Sequence, residues 1–177
     1  MPKTFSFNQL SEEAKQKVLE RERFVNVDDY DWWDWIYETL KEYGIETEQV
    51  SFDLQNHYFC VHKGSIDHEK MISYLWHNGY ITVQQAYAIR DELVYIWLKT
   101  SFRYGCDRNY FTVEATDEVP DKVYDGLEEA MDAFIEDVEK DCLKKLEQDY
   151  EGLTSDEAII EMLMANDWHF TKDGERA

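Results

Sequence analysis

Hydrophobic and polar positions alternate in register with recognisable helix and strand signals along the whole chain. Phe5 and Phe7 alternate with polar neighbours, as in a short strand or apolar lead-in. Ser11 follows as a helix N-cap, with Glu12 and Glu13 at the positive end of the helix dipole and Ala14, Val18 and Leu19 as the apolar stripe. A second helix is predicted from about Asp29 to Tyr43, with Trp33, Ile36, Tyr37 and Leu40 on one face and Gly44 as its stop. Val50, Phe52 and Leu54 then alternate with Ser51 and Asp53. Gln55-Asn56 supplies a turn and Tyr58 to His62 returns, which predicts a hairpin.

Helical sequence resumes near Asp67, and Thr82 with Gln85 forms a capping box. The helix that it opens is predicted to run to about Lys99. Val83, Ala86, Ile89, Val94, Ile96 and Trp97 make it apolar on most sides, as a central buried helix would be. Tyr110 to Ala115 alternates as a third strand. Asp125 and Glu128 open the longest helix, to about Tyr150, on a seam of Leu127, Met131, Phe134 or Ile135, Val138, Cys142 and Leu146. Thr154 with Glu157 caps a last helix through about Ala165, and Trp168 and Phe170 suggest a terminal strand. The expected fold is a helix-rich α+β domain over residues 1–177, a small antiparallel sheet covered by five or six helices.

Composition supports a packed core. Of 177 residues, 44% are hydrophobic and 15% aromatic. Against that core stand 39 Asp plus Glu and only 18 Lys plus Arg, a net charge of −21. Such a chain is a poor direct ligand for nucleic acid, where lysine and arginine must displace counterions from phosphates. It is equally unsuited to an anionic membrane surface. Cys60, Cys106 and Cys142 are odd in number and scattered, with no CxxC pair, which fits thiols in a reducing cytoplasm better than a disulfide scaffold. The opening residues run into Asn8 and Gln9 without an apolar leader, and no apolar run is long enough to span a bilayer, so a cytoplasmic location is expected.

The charge is unevenly placed. Residues 1–113 hold 18 acids and 12 bases, a net of −6, whereas residues 114–177 hold 21 acids and 6 bases, a net of −15. Ten acids fall between Asp125 and Asp149, among them Glu128, Glu129, Asp132, Glu136, Asp137 and Glu139. At about 1.5 Å of rise per residue this is roughly one carboxylate per 4 Å. A DNA strand carries about one phosphate per 3.4 Å. The matching densities point to a surface that imitates a nucleic-acid backbone and binds a basic protein, with apolar or aromatic contacts at its centre needed for specificity; an amphipathic helix with a solvated acidic face is the simpler alternative.

Tyr30-Asp31-Trp32-Trp33-Asp34-Trp35 supplies the candidate apolar contact. On a continuous helix Trp32 and Trp35 lie together, as an aromatic anchor rimmed by Asp31, Asp34 and Glu38 or, more simply, as part of a wide core stripe in a tryptophan-rich domain. Cys60 and His62 share one side of a strand, with Asp67 and His68 close in sequence, but no pair has the spacing of a zinc finger or HExxH, so no metal or other cofactor is expected. There is no glycine-rich phosphate loop and no GxSxG elbow, and catalysis finds no support in the motifs.

Four segments carry a resemblance. Phe5-Ser6-Phe7-x-x-Leu10-Ser11-Glu12-Glu13-Ala14-Lys15, Tyr30-Asp31-Trp32-Trp33, Ser51-Phe52-Asp53-Leu54 and Leu153 to Glu161 resemble a poorly characterised family of small bacteriophage and prophage proteins. Some of its members are loosely labelled as antitoxins of a toxin–antitoxin stability system. After Leu54 the family pattern has Asp-Arg-Gly-like residues, where this chain has Gln55-Asn56-His57. The resemblance lends no catalytic residues. It implies a phage setting inside a bacterial host, where an acidic protein would inhibit a host defence enzyme of restriction or CRISPR type, or act as an antitoxin-like binding module.

Overall fold

A computed structural model of the chain describes residues 3–28, 31–103 and 106–177, with the side chains at 102, 103 and 106 left aside. Asp29, Tyr30 and the Cys106 side chain therefore lie outside the described residues. In chain order the elements are β1 (Phe5–Ser6), a 3-10 turn (Phe7–Gln9), α1 (Glu12–Arg21), α2 (Val25–Asp28), α3 (Trp35–Glu42), β2 (Ile45–Glu46), β3 (Gln49–Asp53), β4 (Tyr58–His62) and β5 (Ser65–Ile66). They continue with α4 (His68–His77), α5 (Val83–Arg90), β6 (Val94–Arg103), β7 (Cys106–Ala115), α6 (Asp121–Tyr124), α7 (Leu127–Leu153), α8 (Asp156–Ala165) and β8 (His169–Phe170). The fold is helix-rich α+β, with six helices of eight residues or more among the described residues. Among the described residues the strands form four separate antiparallel pairs, β1–β8, β2–β5, β3–β4 and β6–β7, in place of one sheet.

Local chemistry sets most boundaries. Ser11 Oγ accepts from the Ala14 N–H at 3.3 Å and caps α1. Thr82 Oγ1 accepts from the Gln85 N–H at 3.3 Å, and Gln85 Oε1 accepts from the Thr82 N–H at 2.9 Å, the capping box that opens α5. The cap of α8 is Ser155, whose Oγ accepts from the Ala158 N–H, and not Thr154. The Thr154 hydroxyl instead donates back to the Tyr150 carbonyl at 2.7 Å. Gly44 stops α3 as expected, with φ +77°. A Cβ there would lie 2.5 Å from the Met71 nitrogen, so both the turn and the close approach require glycine.

The largest departure from the sequence pattern lies between Thr82 and Lys99. α5 ends at Arg90, the chain turns with Glu92 at φ +57°, and Val94 begins a strand. Its burial has period two: Val94 and Ile96 are buried while Tyr95 and Trp97 face outward. A run of β-branched and aromatic residues is as compatible with a strand as with a buried helix, and pairing with β7 over ten residues decides it. Likewise α3 begins at Trp35 rather than Asp29, with residues 32–34 forming a turn ahead of it.

The chain divides into two compact units, Met1–Trp33 with Glu147–Ala177, and Asp34–Leu146. The terminal unit packs Phe7, Leu10, Ala14 and Val18 against Ile159, Leu163 and Phe170, and β1 pairs with β8 through Phe5 and Phe170. In the central unit the seam of α7 is fully internal: Leu127, Met131, Phe134, Ile135, Val138, Cys142 and Leu146 are all buried. Phe134 is the hub. Its ring centre lies 5.6 Å from that of Tyr80, 5.7 Å from Tyr74, 6.0 Å from Phe111 and 6.4 Å from Tyr43. One buried polar side chain joins β4 to the β6–β7 ribbon. Asn109 Oδ1 accepts from the Val61 N–H and Asn109 Nδ2 donates to the Val61 carbonyl, each at 2.8 Å, so the amide completes a strand edge.

Among the described residues no helix is long and apolar enough to cross a membrane. Truncating the hub, Phe134→Ala, is expected to cost about 3–5 kcal/mol, from the lost ring plus the cavity left among four aromatic neighbours. Urea denaturation measures it; a cost below about 1 kcal/mol would mean that the rings do not form a shared core.

Candidate partner-binding site

Burial of the α7 seam turns the opposite side of the helix to solvent. Asp125, Glu128, Glu129, Asp132, Glu136 and Asp137 are all exposed, and no lysine or arginine lies among them. Glu128, Asp132 and Glu136 are four residues apart, a row with a step of about 6 Å along the helix axis. Glu114, Asp117, Glu118 and Asp121 extend the same character upstream, so ten exposed acids from Glu114 to Asp137 face the single base Lys122. Beyond Asp137 the character changes. Lys140 pairs with Glu136 at 2.9 Å and Lys145 with Asp141 at 2.7 Å, and the exposed helix face carries both signs.

Two of the carboxylates have internal duties. Asp137 accepts from the Tyr80 hydroxyl at 2.7 Å, and Asp141 accepts from the Tyr43 hydroxyl at 2.5 Å. Burial first, and then the neighbouring carboxylate, hold both phenols above the ordinary tyrosine range. These bonds fasten α7 to the elements bearing Tyr43 and Tyr80, while Glu128, Glu129, Asp132 and Glu136 stay exposed.

Glu139 is placed differently from its neighbours. It is half-buried, and its Oε1 has no hydrogen-bond partner. Burial pushes its carboxyl up to about 7, only partly offset by the Asn109 backbone N–H and the Arg108 charge. It lines a cleft of about 510 Å³ with Tyr58, Arg108, Asp132 and Glu136. Glu139 thus belongs to the packing of β7 on α7 rather than to the open acidic row.

The tryptophans do not form the expected exposed pair. Trp32 and Trp35 are both half-buried and belong to different units. Trp32 sits edge-on to Trp33 at 5.8 Å, with Tyr150 at 5.9 Å. Trp35 opens α3 with a buried indole Nε1 that lacks an acceptor. Because the helix starts only at Trp35, the three-residue spacing never brings the two indoles onto one helical face.

The exposed aromatics lie instead on the outward side of the β6–β7 ribbon. Tyr95, Trp97 and Tyr110 keep 41%, 39% and 39% of their surface in solvent, and the Tyr95 and Trp97 rings stack 6.0 Å apart. The register sets Tyr95 opposite Glu114 and Lys99 opposite Tyr110. A groove of about 380 Å³ connects this ribbon with α7: Tyr110 and Arg108 line one side, Glu128 and Asp132 the other. Tyr110 of the aromatic ribbon therefore shares one groove with the carboxylates of Glu128 and Asp132 and the guanidinium of Arg108. Period-two alternation over 94–98 was the sequence signal for these aromatics, hidden by the helix-like apolar density around it.

The remaining sequence candidates are dispersed. Asp67 is committed to capping α4, accepting from the Lys70 N–H at 3.2 Å, and Cys60 and Cys142 are buried. Among the described residues no three His, Cys, Asp or Glu side chains converge as a metal site. No family model, no curated protein and no solved structure matches this chain.

Glu139 yields a pH prediction. Its folded-state value of about 7 exceeds the ordinary 4.5, so the folded state holds the proton more tightly. Stability gained from this group is complete below about 4.5 and is lost as pH rises through 7. Glu139→Gln removes the charge at constant shape and should raise stability at pH 8 by up to about 3 kcal/mol, with little effect at pH 4. Chemical denaturation at the two pH values checks this; equal effects at both would place Glu139 in solvent.

Proposed function

We propose that the protein is an inhibitor of phage type whose inhibition is non-enzymatic, exerted by binding the basic nucleic-acid groove of a host defence or nucleic-acid-processing protein inside the bacterial cell. One observation carries the reading: the exposed carboxylates from Glu114 to Asp137, with the single base Lys122, adjoin an exposed aromatic ribbon across a shared groove. An acidic patch by itself gives solubility. Carboxylates beside Tyr95 and Tyr110, with Trp97 stacked on Tyr95, offer what a protein interface uses, long-range attraction for encounter and aromatic area for residence. The phage setting rests on the resemblance of four segments alone. Asp125, Glu128, Glu129, Asp132 and Glu136 form the electrostatic part, and Asp137 contributes its charge while bound to Tyr80.

A second reading, an antitoxin-like module that recognises one protein through aromatic contacts with the acidity serving solubility only, is favoured by the same three exposed rings. The two readings separate by salt. A tagged chain incubated with bacterial lysate at low and raised salt is expected to retain a nucleic-acid-binding protein that is released by salt and by added DNA. Replacing Glu128, Glu129, Asp132 and Glu136 by lysine should abolish that capture with the fold intact. Capture indifferent to salt and to the four reversals, yet lost on Trp97→Ala, would contradict mimicry and support the antitoxin-like reading.

A further inference from the structure

The β3–β4 hairpin brings together a chain of polar groups that the acidic surface does not use. Ser51 is opposite Cys60 in the register, so Tyr58 and His62 flank it diagonally on the same face. Ser51 Oγ lies 2.7 Å from His62 Nε2 and 3.0 Å from the Tyr58 hydroxyl. The other ring nitrogen, His62 Nδ1, faces Asp107 of β7, whose Oδ2 is 4.0 Å away. A hydroxyl on one imidazole nitrogen and a carboxylate toward the other is the wiring that activates a serine. The carboxylate–imidazole separation exceeds a hydrogen bond, as in many unloaded sites whose contacts tighten on substrate.

Ser51 lines neither neighbouring cleft itself and is approached through the groups bonded to it. Ser51, Tyr58 and His62 are half-buried rather than enclosed. His62 lines a cleft of about 740 Å³ with Thr47, Gln49 and Lys63, while Tyr58 and Asp107 line the cleft of about 510 Å³. Burial raises the Tyr58 hydroxyl above the ordinary tyrosine range, which keeps it a donor at neutral pH.

We propose that Ser51 is a nucleophile for acyl transfer from small carboxylic esters, with His62 as general base, Tyr58 as donor to the oxyanion and Asp107 as the positioning residue for the imidazole. Ser51 Oγ bonds to the ester carbon while its proton passes to His62 Nε2. The ester C–O bond then breaks and the departing alkoxide takes that proton, leaving acyl-Ser51. Water, deprotonated by His62, attacks the acyl carbon; the acyl–oxygen bond breaks, the carboxylic acid leaves, and His62 returns the proton to Ser51 Oγ. Tyr58 and Asp107 line the cleft that Asp132 and Glu136 also border, but the acyl transfer uses none of the acidic row's carboxylates, so this activity does not depend on the inhibition by binding proposed above.

The test uses the full chain with a fluorophosphonate and with p-nitrophenyl acetate. The fluorophosphonate should form one adduct that peptide mass mapping places on Ser51. Ser51→Ala and His62→Ala should lower p-nitrophenol release by about 100-fold, the lower end of general-base effects. Tyr58→Phe and Asp107→Asn should lower kcat with KM unchanged, a split that mere loosening of the hairpin would not produce. Wild-type mapping does not depend on whether any variant folds. Absence of an adduct on wild-type Ser51, or an adduct on another residue, would overturn the proposal, as would ester turnover unchanged in Ser51→Ala.

Discussion

The burial of one helical seam governs the rest of the central unit. α7 turns Leu127, Met131, Phe134, Val138 and Cys142 inward, and Phe134 is ringed by aromatic side chains from the α3–β2 turn, α4, the turn before α5, and β7. Burying large apolar side chains contributes about 1.5–3 kcal/mol each, more than a surface carboxylate gains or loses by moving. The seam therefore fixes the rotation of the helix, and the carboxylates take the side that remains. Asp137 and Asp141 refine that rotation through hydrogen bonds from Tyr80 and Tyr43.

A surface made in this way concentrates like charges at a cost. Repulsion between Glu128, Asp132 and Glu136 is relieved at one end, where Lys140 pairs with Glu136, and along the groove that Arg108 shares with Glu128 and Asp132. Glu139 shows how narrow the helix side is: one position round from the row, its carboxyl is half-buried and pushed up to about 7. The open acidic surface is thus shorter and more sharply bounded than the count of acids along α7 implies. Its continuation is aromatic, on the outward side of the β6–β7 ribbon.

Elements with local signals were legible in the sequence. The caps at Ser11 and Thr82, the stop at Gly44, the β3–β4 hairpin and the α7 seam each depend on residues a few positions apart, and the structure contains all of them. Val94 to Arg103 was not legible, because its strand identity comes from pairing with β7 rather than from its own composition. The same reason hid the site features. Trp97 joins the surface only once that strand is paired, and Asp107 reaches His62 only through packing of β7 near β4. Trp32 and Trp35 misled because their spacing matters only on a continuous helix, and α3 starts at the second of them.

The most direct test of the central claim is carboxyl footprinting of the intact protein, with carbodiimide and an amine label read residue by residue by mass spectrometry. The account predicts fast labelling of Glu128, Glu129, Asp132 and Glu136 and slow labelling of Glu139, although all five lie within twelve residues of one helix. Labelling of Glu139 as fast as Glu136 would contradict it, since the seam would then not set which carboxylates face a partner.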